Sequence, residues 1–470
     1  LLPLDPAATW KIRVEVATVV DILNVAVSNA VATAESAGIN AYNSQDLGGN
    51  VKWSFARAAV PGETITWTGL SATDPTDWAD GDNWDLKRPV AATDDVVIPT
   101  GRTKYPSFGA GNYVLNRLTV EEGASLKLLG THATVTNALS VHGSLVCTGT
   151  ERFDISAATV DFTGGSVTPA ESDFVINGEV GQTVNLGGCT FNFVNVERAG
   201  SVTFTDDFSA KRFAVRPSAA LSLTFAAGET VTADALHLEG YVGGESLLTL
   251  GSSEPGTAWK LNLTKDVQQV TGVTVSDSDA SGGVTIRGGS TSTGTDTANW
   301  DFATATASWT GAVSTDFATA DNWIPAAVPG ADTVVSLTPL RGETVTVVVP
   351  ANSPASVKKL ILGSGEGTVK FTAQSPITIK ERLEIPAKAT VVLNAYDVPN
   401  VVSNDVVIRK DGVLTHDQLK KLNLVVEGDL TIDTGARIDA DCKGCGQGKS
   451  STGLPSAFEP YDWGSGGGGS

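Results

Sequence analysis

The chain repeats one short apolar pattern near its carboxyl end, as Leu360-Ile361-Leu362, Leu383-Glu384-Ile385, Val406-Val407-Ile408 and Leu430-Thr431-Ile432. Each segment follows the one before it after about 23 residues, and Gly residues lie between them. Short strands at this spacing are typical of a parallel β-solenoid, in which each coil lays its strand about 4.8 Å from the strand of the preceding coil. The inward positions are Leu, Val and Ile, which suit a narrow stacked core.

A similar period occurs earlier in the chain. Leu118-Thr119-Val120 is followed by Leu139-Ser140-Val141, and Phe213-Ala214-Val215 by Leu236-His237-Leu238, each time after roughly one coil length. From about 155 to 204 the β-type composition continues without a clear period. A β-sandwich, the competing interpretation, would place turns about every 8–12 residues. The longer period favours the solenoid, so the sequence predicts an all-β chain of right-handed parallel β-helix (β-solenoid) units.

Composition supports this fold and narrows the function classes. Of 470 residues, 50 are Gly, 41% are hydrophobic and 18% are charged, which is typical of a folded, turn-rich β protein. The length predicts two to four domains of roughly 100–200 residues. A formal charge of −20 disfavours nucleic acid as a partner. No long apolar run occurs, so no membrane span is predicted.

A Trp-rich pattern occurs twice in the chain. The first copy runs from Trp67-Thr68-Gly69 to Asp82-Asn83-Trp84, and the second from Trp309-Thr310-Gly311 to Asp321-Asn322-Trp323. In both copies an aromatic residue, Trp78 or Phe317, precedes the last Trp by six positions. A Pro and an Asp-led β segment follow each copy, so chance is a poor explanation for the duplication.

The duplication predicts the domain organisation. Residues 1–58 form the tail of a preceding β-helix unit, 59–105 and 303–345 are Trp-rich linker or cap modules, and 106–302 is a β-helix unit. Residues 346–470 start a further β-helix unit with a Gly-rich end. The chain begins at Leu1 and contains no Met, so we expect a start codon and signal peptide outside it, as in a processed product or a piece of a longer protein.

The Trp-rich modules lie where caps of a solenoid are needed. An uncovered solenoid end exposes unpaired strand edges, and large indole rings bury much area in a small element. We therefore predict structural cap roles for Trp67, Trp84, Trp309 and Trp323. The alternative is that these rings form a platform on which sugars stack.

The Trp-rich pattern and the segment after it resemble a known family. From Trp67 to Ile98, followed by 118–128, the sequence is similar to modules of very large bacterial cell-surface and adhesin-like β-helix proteins. Segment 278–286 and Asn299-Trp300-Asp301-Phe302 resemble the closing coil of those modules, and 444–470 resembles their Gly-rich insertions. The resemblance implies a secreted, right-handed parallel β-helix that serves as a stalk, coat or adhesin, and it supplies no catalytic residues. Residues 464–470 are equally typical of an engineered linker.

Catalysis is not predicted. Parallel β-helices also include polysaccharide lyases and hydrolases, which need paired carboxylates on adjacent coils or a base with calcium. The four His residues are His132, His142, His237 and His416, and none lies beside a nucleophile or at metal-ligand spacing. We expect all four on the surface, with His237 on the outward face of a strand and His416 in a polar stretch, 412–421, that forms a short helix.

Acidic clusters offer a weak signal for calcium, which needs six or more oxygen ligands. The strongest is Asp80, Asp82 and Asp85, crowded into one loop, but the second copy of the pattern keeps few of these acids. Two weaker candidates are Asp277 with Asp279, for which Glu35 is the acid of the equivalent stretch, and the group Asp433, Asp439 and Asp441. The competing interpretation is a solvated acidic surface that keeps the protein soluble. No other cofactor is predicted.

The four Cys residues are too few for a disulfide scaffold. Cys442 and Cys445 form a lone C-x-x-C, which favours a local disulfide or inert thiols over metal or redox chemistry. Cys147 and Cys189 would lie about two coils apart, beyond the reach of a disulfide.

These patterns together favour a non-enzymatic structural segment of a repetitive extracellular cell-surface or fibre-forming protein. Its expected partners are other copies or units of the same protein, and a cell-surface glycan or a protein receptor. The alternative is a carbohydrate-binding or polysaccharide-degrading β-helix, which would need a groove of carboxylates and exposed aromatic rings along one face.

Overall fold

The chain folds as a parallel β-solenoid. A computed structural model describes residues 1–13, 20–23, 25–33, 39–42, 44–55, 60–178, 181–198, 200–242, 245–395, 397–441 and 443. About half of the residues are in strands and 2% are helical, and the stacked coils make about 18 turns. This confirms the predicted fold class and excludes the β-sandwich.

The coils belong to two compact units. The first comprises Leu1–Asp266 and Val270–Phe302, and the second comprises Val267–Gln269 and Ala303–Ser470. The break after Phe302 falls where the sequence places the end of a β-helix unit. The finer division into five segments stays a prediction.

The first unit begins with seven short strands. Their bounds are β1 (Trp10–Ile12), β2 (Val20–Leu23), β3 (Ala26–Val27), β4 (Ala30–Ala32), β5 (Ile39–Tyr42), β6 (Gln45–Asp46) and β7 (Trp53–Ser54). They pair in parallel as β1 with β4, β3 with β6, and β2 with β5 and then β7.

Twenty-five further strands complete the first unit. They are β8 (Thr64–Thr66), β9 (Asp95–Ile98), β10 (Ser107–Phe108), β11 (Gly111–Val120), β12 (Ser125–Leu128), β13 (Thr131–Val141), β14 (Ser144–Cys147), β15 (Arg152–Ile155), β16 (Thr159–Asp161), β17 (Ser166–Thr168), β18 (Asp173–Ile176), β19 (Gln182–Asn185), β20 (Thr190–Val196), β21 (Gly200–Phe204), β22 (Phe208–Val215), β23 (Leu221–Phe225), β24 (Thr230–Glu239), β25 (Tyr241–Val242), β26 (Glu245–Ser246), β27 (Leu248–Ser252), β28 (Trp259–Thr271), β29 (Val273–Asp279), β30 (Ile286–Arg287), β31 (Thr293–Ala298) and β32 (Trp300–Asp301). Single 3₁₀ turns lie at Gly81–Asn83 and Gly289–Thr291.

Sixteen strands and one 3₁₀ turn, Ala320–Asn322, form the second unit. The strands are β33 (Thr306–Trp309), β34 (Trp323–Ile324), β35 (Val334–Ser336), β36 (Thr344–Val349), β37 (Ala355–Val357), β38 (Lys359–Ile361), β39 (Thr368–Ala373), β40 (Ile377–Ile379), β41 (Leu383–Ile385), β42 (Ala389–Leu393), β43 (Asn400–Val402), β44 (Val406–Ile408), β45 (Val413–Thr415), β46 (Leu424–Val426), β47 (Leu430–Ile432) and β48 (Arg437–Asp439).

Three sheets, parallel except for the β33–β34 pair, wrap the second unit. Their strand orders are β34-β33-β35-β38-β41-β44-β47, β36-β39-β42-β45-β48 and β37-β40-β43-β46, so each coil adds one strand to each sheet. The four segments that repeat in the sequence are β38, β41, β44 and β47, and they lie side by side in this order. Leu383 pairs with Val406, which pairs with Leu430, so the predicted period is the coil length.

The first unit keeps the same stacking through the stretch where the sequence period fades. Ile155 pairs with Ile176, Ile176 with Val196, and Val196 with Val215. These steps are 21, 20 and 19 residues long, and the steps from Val160 through Val184 and Phe204 to Phe225 are 24, 20 and 21, so the coils continue while their length varies. A fixed period cannot be read from a sequence whose coil length drifts in this way.

Aromatic rings stack along the core of the first unit. Phe204 lies parallel to Phe225 with ring centroids 5.2 Å apart, and Phe225 lies parallel to Trp259 at 4.0 Å. Phe153 and Phe174 stack in the same way at 5.5 Å. The core therefore holds a column of large rings in addition to the small and branched side chains that the sequence predicts.

Candidate functional site

Three tryptophans of the first Trp-rich segment form one buried cluster. The ring of Trp84 lies edge-to-face against Trp67, with centroids 5.0 Å apart, and against Trp78, at 4.7 Å. The indole N–H of Trp84 donates to the Trp78 carbonyl at 3.0 Å, and that of Trp67 donates to the Lys104 carbonyl at 2.8 Å. The rings of Trp84 and Trp67 therefore bury their apolar area while the one polar atom of each is satisfied.

The second Trp-rich segment repeats this arrangement. Trp323 lies edge-to-face against Trp309 at 4.7 Å and against Phe317 at 5.1 Å. Its indole N–H donates to the Phe317 carbonyl at 2.8 Å. Trp309 is half-buried, whereas Trp67 in the first copy has no exposed surface.

The Asn that precedes the last Trp explains the duplicated Asp-Asn-Trp. Asn83 is 0% exposed, and its side-chain amide donates to the carbonyls of Asp74 and Asp77 at 2.7 and 2.9 Å. Its amide oxygen accepts from the Ser71 main-chain N–H at 2.9 Å. One side chain thus satisfies three main-chain groups of the loop.

Asn322 does the same in the second copy. It is also fully buried, and its amide donates to the Asp316 carbonyl at 2.8 Å and to the Ser314 hydroxyl at 3.0 Å. Its oxygen accepts from the main-chain N–H groups of Val313 and Ser314. The motif therefore organises a loop. The sequence predicts cap roles for the Trp residues. It predicts no role for the Asn, although the Asn recurs at the same offset in both copies.

Both Trp pairs are also antiparallel backbone neighbours. Trp309 pairs with Trp323 across β33 and β34, and β34 is the outermost strand of its seven-stranded sheet. Trp67 and Trp84 form an isolated antiparallel bridge just after β8, which pairs in parallel with β9. In the second unit this antiparallel pairing covers the outer edge of the parallel strands. The cap roles of the four tryptophans stay a prediction.

The acidic loop of the first copy uses its carboxylates locally. Asp80 accepts from the Asp82 main-chain N–H at 2.9 Å and from the Ser71 hydroxyl at 2.5 Å, and Asp85 accepts from the Thr66 main-chain N–H at 2.9 Å. Two of the three predicted calcium ligands are therefore already engaged in hydrogen bonds, and Asp80 caps the 3₁₀ turn Gly81–Asn83. Across the described residues, no group of three or more His, Cys, Asp and Glu side chains is placed to hold a metal ion. Calcium at Asp80, Asp82 and Asp85 stays a prediction of the sequence.

Both carboxylates of the second acidic candidate also accept main-chain hydrogen bonds. Asp277 accepts from the Gly256 main-chain N–H at 3.0 Å, and Asp279 accepts from the Ser281 main-chain N–H at 2.9 Å. Hydrogen bonds from Ser281 lower the pKa of Asp279. Glu35 lies outside the described residues.

Two of the four His residues are buried, so the prediction that all four lie on the surface is wrong. His237 is 3% exposed and His416 is 8% exposed. His416 lies just after β45, so the predicted helix over 412–421 is wrong as well. An outward side chain in a stacked sheet is flanked by neighbours on both adjacent coils, and the alternation within one strand does not reveal them.

Three His residues pair with carboxylates. His132 contacts Asp154, and His142 contacts Asp161 at 3.1 Å, in each case from the neighbouring coil. His237 contacts Glu239 at 2.5 Å. Stacking places residues about 20 positions apart side by side, so the first two pairs cannot be recognised from local spacing.

Glu239 also binds Arg216, with Nε and Oε2 2.7 Å apart. Burial raises the pKa of Glu239, but the charges and hydrogen bonds of His237 and Arg216 outweigh it and lower that pKa to about 2. The carboxylate is therefore held ionised by Arg216 and by its hydrogen bond with His237.

One His lies among the residue types of a hydrolase triad. His142 Nε2 lies 3.2 Å from the Ser140 hydroxyl and 3.1 Å from an Asp161 oxygen. In a triad one ring nitrogen faces the Ser and the other faces the acid. Here both contacts fall on Nε2, which cannot present a lone pair to Ser140 and a proton to Asp161 together. The arrangement does not activate the Ser140 hydroxyl.

The cysteines offer no reactive thiol in the described part of the chain. Cys147 and Cys189 are free and buried. Burial raises the pKa of Cys147 to about 11 and also raises that of Cys189. Cys442 and Cys445 lie outside the described residues.

The second unit carries an open polar groove of about 590 Å³, here called the outer groove. Its floor is the outward face of β39, β42, β45 and β48, where Lys370 pairs with Thr390, Thr390 with Val413, and Val413 with Arg437. The lining residues are Lys370, Thr390, Val392, Val413, Thr415, His416, Asp417, Gln418, Arg437, Asp439, Asp441 and Lys443. Sequence reasoning misses this groove because its residues come from successive coils.

Hydrogen bonds fix one wall of the outer groove. Asn394 donates to Asp417 Oδ2 at 2.7 Å, and its amide oxygen accepts from the Asp417 main-chain N–H at 2.8 Å. His416 Nδ1 lies 2.9 Å from the Asp417 carbonyl oxygen. Because a carbonyl only accepts, Nδ1 carries a proton in this contact.

The third acidic candidate is divided between this groove and a neighbouring ion pair. Asp433 contacts Arg409 at 3.5 Å, whereas Asp439 and Asp441 line the groove. The main-chain N–H of Asp441 donates to Asp439 at 3.0 Å and, with the nearby Lys443, lowers the pKa of Asp439. The structure therefore brings only two of these three acids to one site.

Comparison with known proteins adds no relative. No protein family, curated protein or solved structure matches the chain. Among the described residues, no helix is long and apolar enough to cross a membrane.

Proposed function

We propose that the chain is a non-enzymatic structural segment of a repetitive extracellular protein, a stalk, coat or adhesin of the type whose modules its Trp-rich pattern resembles. The observation that carries this proposal is the unbroken parallel register of the second unit. Strands β35, β38, β41, β44 and β47 pair each with the next, and the other two sheets do likewise. Each coil is thus a building block that adds length without changing the cross-section.

Mechanical resistance follows from this register. In each sheet the backbone of one coil bonds to the next, and an inward apolar column such as Val406 and Ile408, both fully buried, runs beside those bonds. Separating two coils must break the backbone hydrogen bonds of all three sheets and expose the apolar core at the same time. A net charge of −20 keeps such a surface soluble outside the cell. Its partners would be further units of the same protein and a surface glycan or protein receptor.

The Trp-rich modules would begin each stack. Their rings support this role better than sugar stacking, because Trp67, Trp84 and Trp323 are buried within the module. A platform for sugars needs an exposed aromatic face. The two modules share one internal geometry, which is what a repeated joining element would require.

Protease treatment of intact cells that make the protein tests its location. We expect an antibody against 106–302 to detect the protein on untreated cells and to lose it after treatment, while a cytosolic marker enzyme stays intact. Detection only after lysis would contradict the proposal.

Incubation of the purified chain with soluble polysaccharides tests the absence of catalysis. We expect no release of reducing ends or of unsaturated uronic products above a heat-denatured sample. Release of such products in proportion to the amount of folded chain would contradict the structural role and indicate polysaccharide degradation.

A further inference from the structure

Two columns of hydroxyl groups run along an outward face of the first unit. Strands β21, β23, β27, β29 and β31 pair in this order, each in parallel with the next. In each strand two outward residues flank one residue of the opposite face. The register places the outward residues in two columns, which are Ser201, Ser222, Thr249, Thr274 and Thr293 beside Thr203, Thr224, Gly251, Ser276 and Thr295. These ten positions are here called the hydroxyl face.

The hydroxyls of this face have no partner within the described part of the chain. Nine of the ten residues carry a hydroxyl group, and no described residue hydrogen bonds to any of these nine. Their side chains are exposed or half-buried. Each hydroxyl can donate one hydrogen bond and accept two. The hydroxyl face therefore presents both donors and acceptors to whatever lies against it.

The hydroxyl face carries no charge, although the chain as a whole has a formal charge of −20. Another part of the same unit, the paired strands β15, β18, β20 and β22, differs in this respect. Its outward positions include Arg152, Asp154, Asp173 and Arg212. An ionic ligand would find no counter-charge on the hydroxyl face, so the lining indicates a neutral partner that forms hydrogen bonds.

The spacing of the hydroxyl face is regular in two directions. Paired strands lie about 4.8 Å apart, and alternate residues of one strand lie about 6.6 Å apart. Between the two columns the buried side chains of Val202, Leu223, Leu250 and Val275 anchor four of the five strands in the core. Water oxygens on the prism face of ice repeat at two perpendicular distances close to these. A dissolved sugar chain or an unrelated folded protein offers no such two-dimensional repeat.

We infer that the hydroxyl face binds ice. The Ser and Thr hydroxyls would take the positions of water molecules in the first layer of the crystal, and each would donate to and accept from the lattice as water does. Gly251 leaves one position of the array without a hydroxyl. Contacts on five coils act together, so hydrogen bonds that are weak one at a time hold the chain to the crystal. This inference goes beyond the structural role and does not depend on it.

Slow growth of ice in a solution of the full chain tests the inference. Serum albumin dissolved in the same sample is the marker for a protein that growing ice excludes. We expect the ratio of chain to albumin to be several-fold higher in the ice than in the remaining liquid, and single ice crystals grown with the chain to become faceted. Equal exclusion of the two proteins overturns the inference.

Variants assign the binding to the hydroxyl face. Thr249→Lys and Thr274→Lys each place a long charged side chain at the middle coils of the face, where the ice lattice has no room for it. Enrichment in ice should fall to the level of albumin. Thr168→Lys is the matched control and should keep the enrichment, because Thr168 is an exposed residue of β17, which belongs to another sheet of the same unit. Unchanged enrichment in Thr249→Lys, or an equal loss in Thr168→Lys, overturns the assignment.

A second copy of the chain is the competing occupant of the hydroxyl face, since its own face has the same repeat. Sedimentation velocity at increasing concentrations of the wild type and of Thr249→Lys distinguishes the two. We expect both to sediment alike at every concentration. Dimers that Thr249→Lys abolishes, in a chain that ice excludes as it excludes albumin, would overturn the inference and assign the face to contact between copies.

Discussion

The indole N–H of Trp323 donates to the main-chain carbonyl of Phe317 at 2.8 Å, and the Trp84 indole donates to the Trp78 carbonyl at 3.0 Å. Each bond closes a loop between residues six positions apart. The spacing that recurs in the sequence is therefore set by one hydrogen bond together with one edge-to-face ring contact. Loss of either ring should release the whole loop.

Trp84→Ala and Trp323→Ala should each lower the free energy of unfolding of their own unit by about 3–5 kcal/mol, because each removes a buried ring. Chemical denaturation followed by near-ultraviolet circular dichroism measures the change. Trp84→Phe and Trp323→Phe keep a ring but lose the N–H donor, so their unfolding free energies should fall between wild type and Ala. Unchanged unfolding in both Ala variants would rule out the cap assignment.

Asn83→Ala and Asn322→Ala should destabilise by about 2–4 kcal/mol, although they remove little apolar area. Each leaves partly buried main-chain donors and acceptors unpaired, and an unpaired group costs about 1–3 kcal/mol when it is fully buried. The control is Asn112→Ala, an exposed position in the first unit. Equal unfolding midpoints for Asn83→Ala and Asn112→Ala would show that the loop does not depend on the Asn.

The solenoid could be predicted because its coil length leaves a long-range period in the sequence. From Leu360 to Ile432 that period is regular, and the paired strands lie where it places them. The period fades between Ile155 and Val215 because the step between paired residues of successive coils there varies from 19 to 24 residues. The turns between strands account for the change in coil length, while the strands keep their parallel register.

Contacts between side chains of neighbouring coils could not be predicted from the sequence. His142 meets Asp161 from the next coil, and Asn394 meets Asp417 in the same way. Such pairs depend on which residues face outward at matched positions, and the matching shifts with every change in coil length. The Trp and Asn of the Trp-rich modules are easier to find in principle, because their contacts are local and recur twice.

Gly69→Ala should destabilise the first unit more than Gly62→Ala. Both glycines have positive φ, +64° and +78°, so both variants carry the same backbone strain of about 1–2 kcal/mol. A Cβ on Gly69 would lie 2.7 Å from the Lys104 carbonyl oxygen, the acceptor of the Trp67 indole, whereas a Cβ on Gly62 meets nothing within 4 Å. We expect a further loss of about 1–3 kcal/mol for Gly69→Ala by thermal unfolding. Equal losses would show that the Trp67 contact tolerates displacement.

Cys147 and Cys189 should resist alkylation in the native protein. Only the thiolate reacts, and burial raises the pKa of Cys147 to about 11, so little thiolate forms at neutral pH. In a Cys442→Ser, Cys445→Ser background, intact-mass analysis after iodoacetamide at pH 8 should show two unmodified thiols. The same sample in denaturant should gain two labels. Rapid native labelling at Cys147 would contradict the burial of that strand end.

Glu239 should contribute stability that is lost in acid. Its folded pKa, about 2, is lower than its ordinary value of 4.5, so the unfolded chain takes up a proton first as the pH falls. The contribution is complete above about pH 4.5 and disappears as the pH falls towards 2. Glu239→Gln should therefore lower the free energy of unfolding by on the order of 2–3 kcal/mol at pH 6, and the difference from wild type should shrink below pH 4.

Glu254→Gln is the control for this pH dependence, because Glu254 is an exposed acid of the same unit. Its unfolding free energy should stay close to that of wild type, since substitutions of exposed side chains change stability little. Urea unfolding of wild type and both variants from pH 2.5 to pH 7 gives the comparison. A wild-type advantage over Glu239→Gln that stays constant across this range would mean that Glu239 stabilises by packing and not by its charge beside His237 and Arg216.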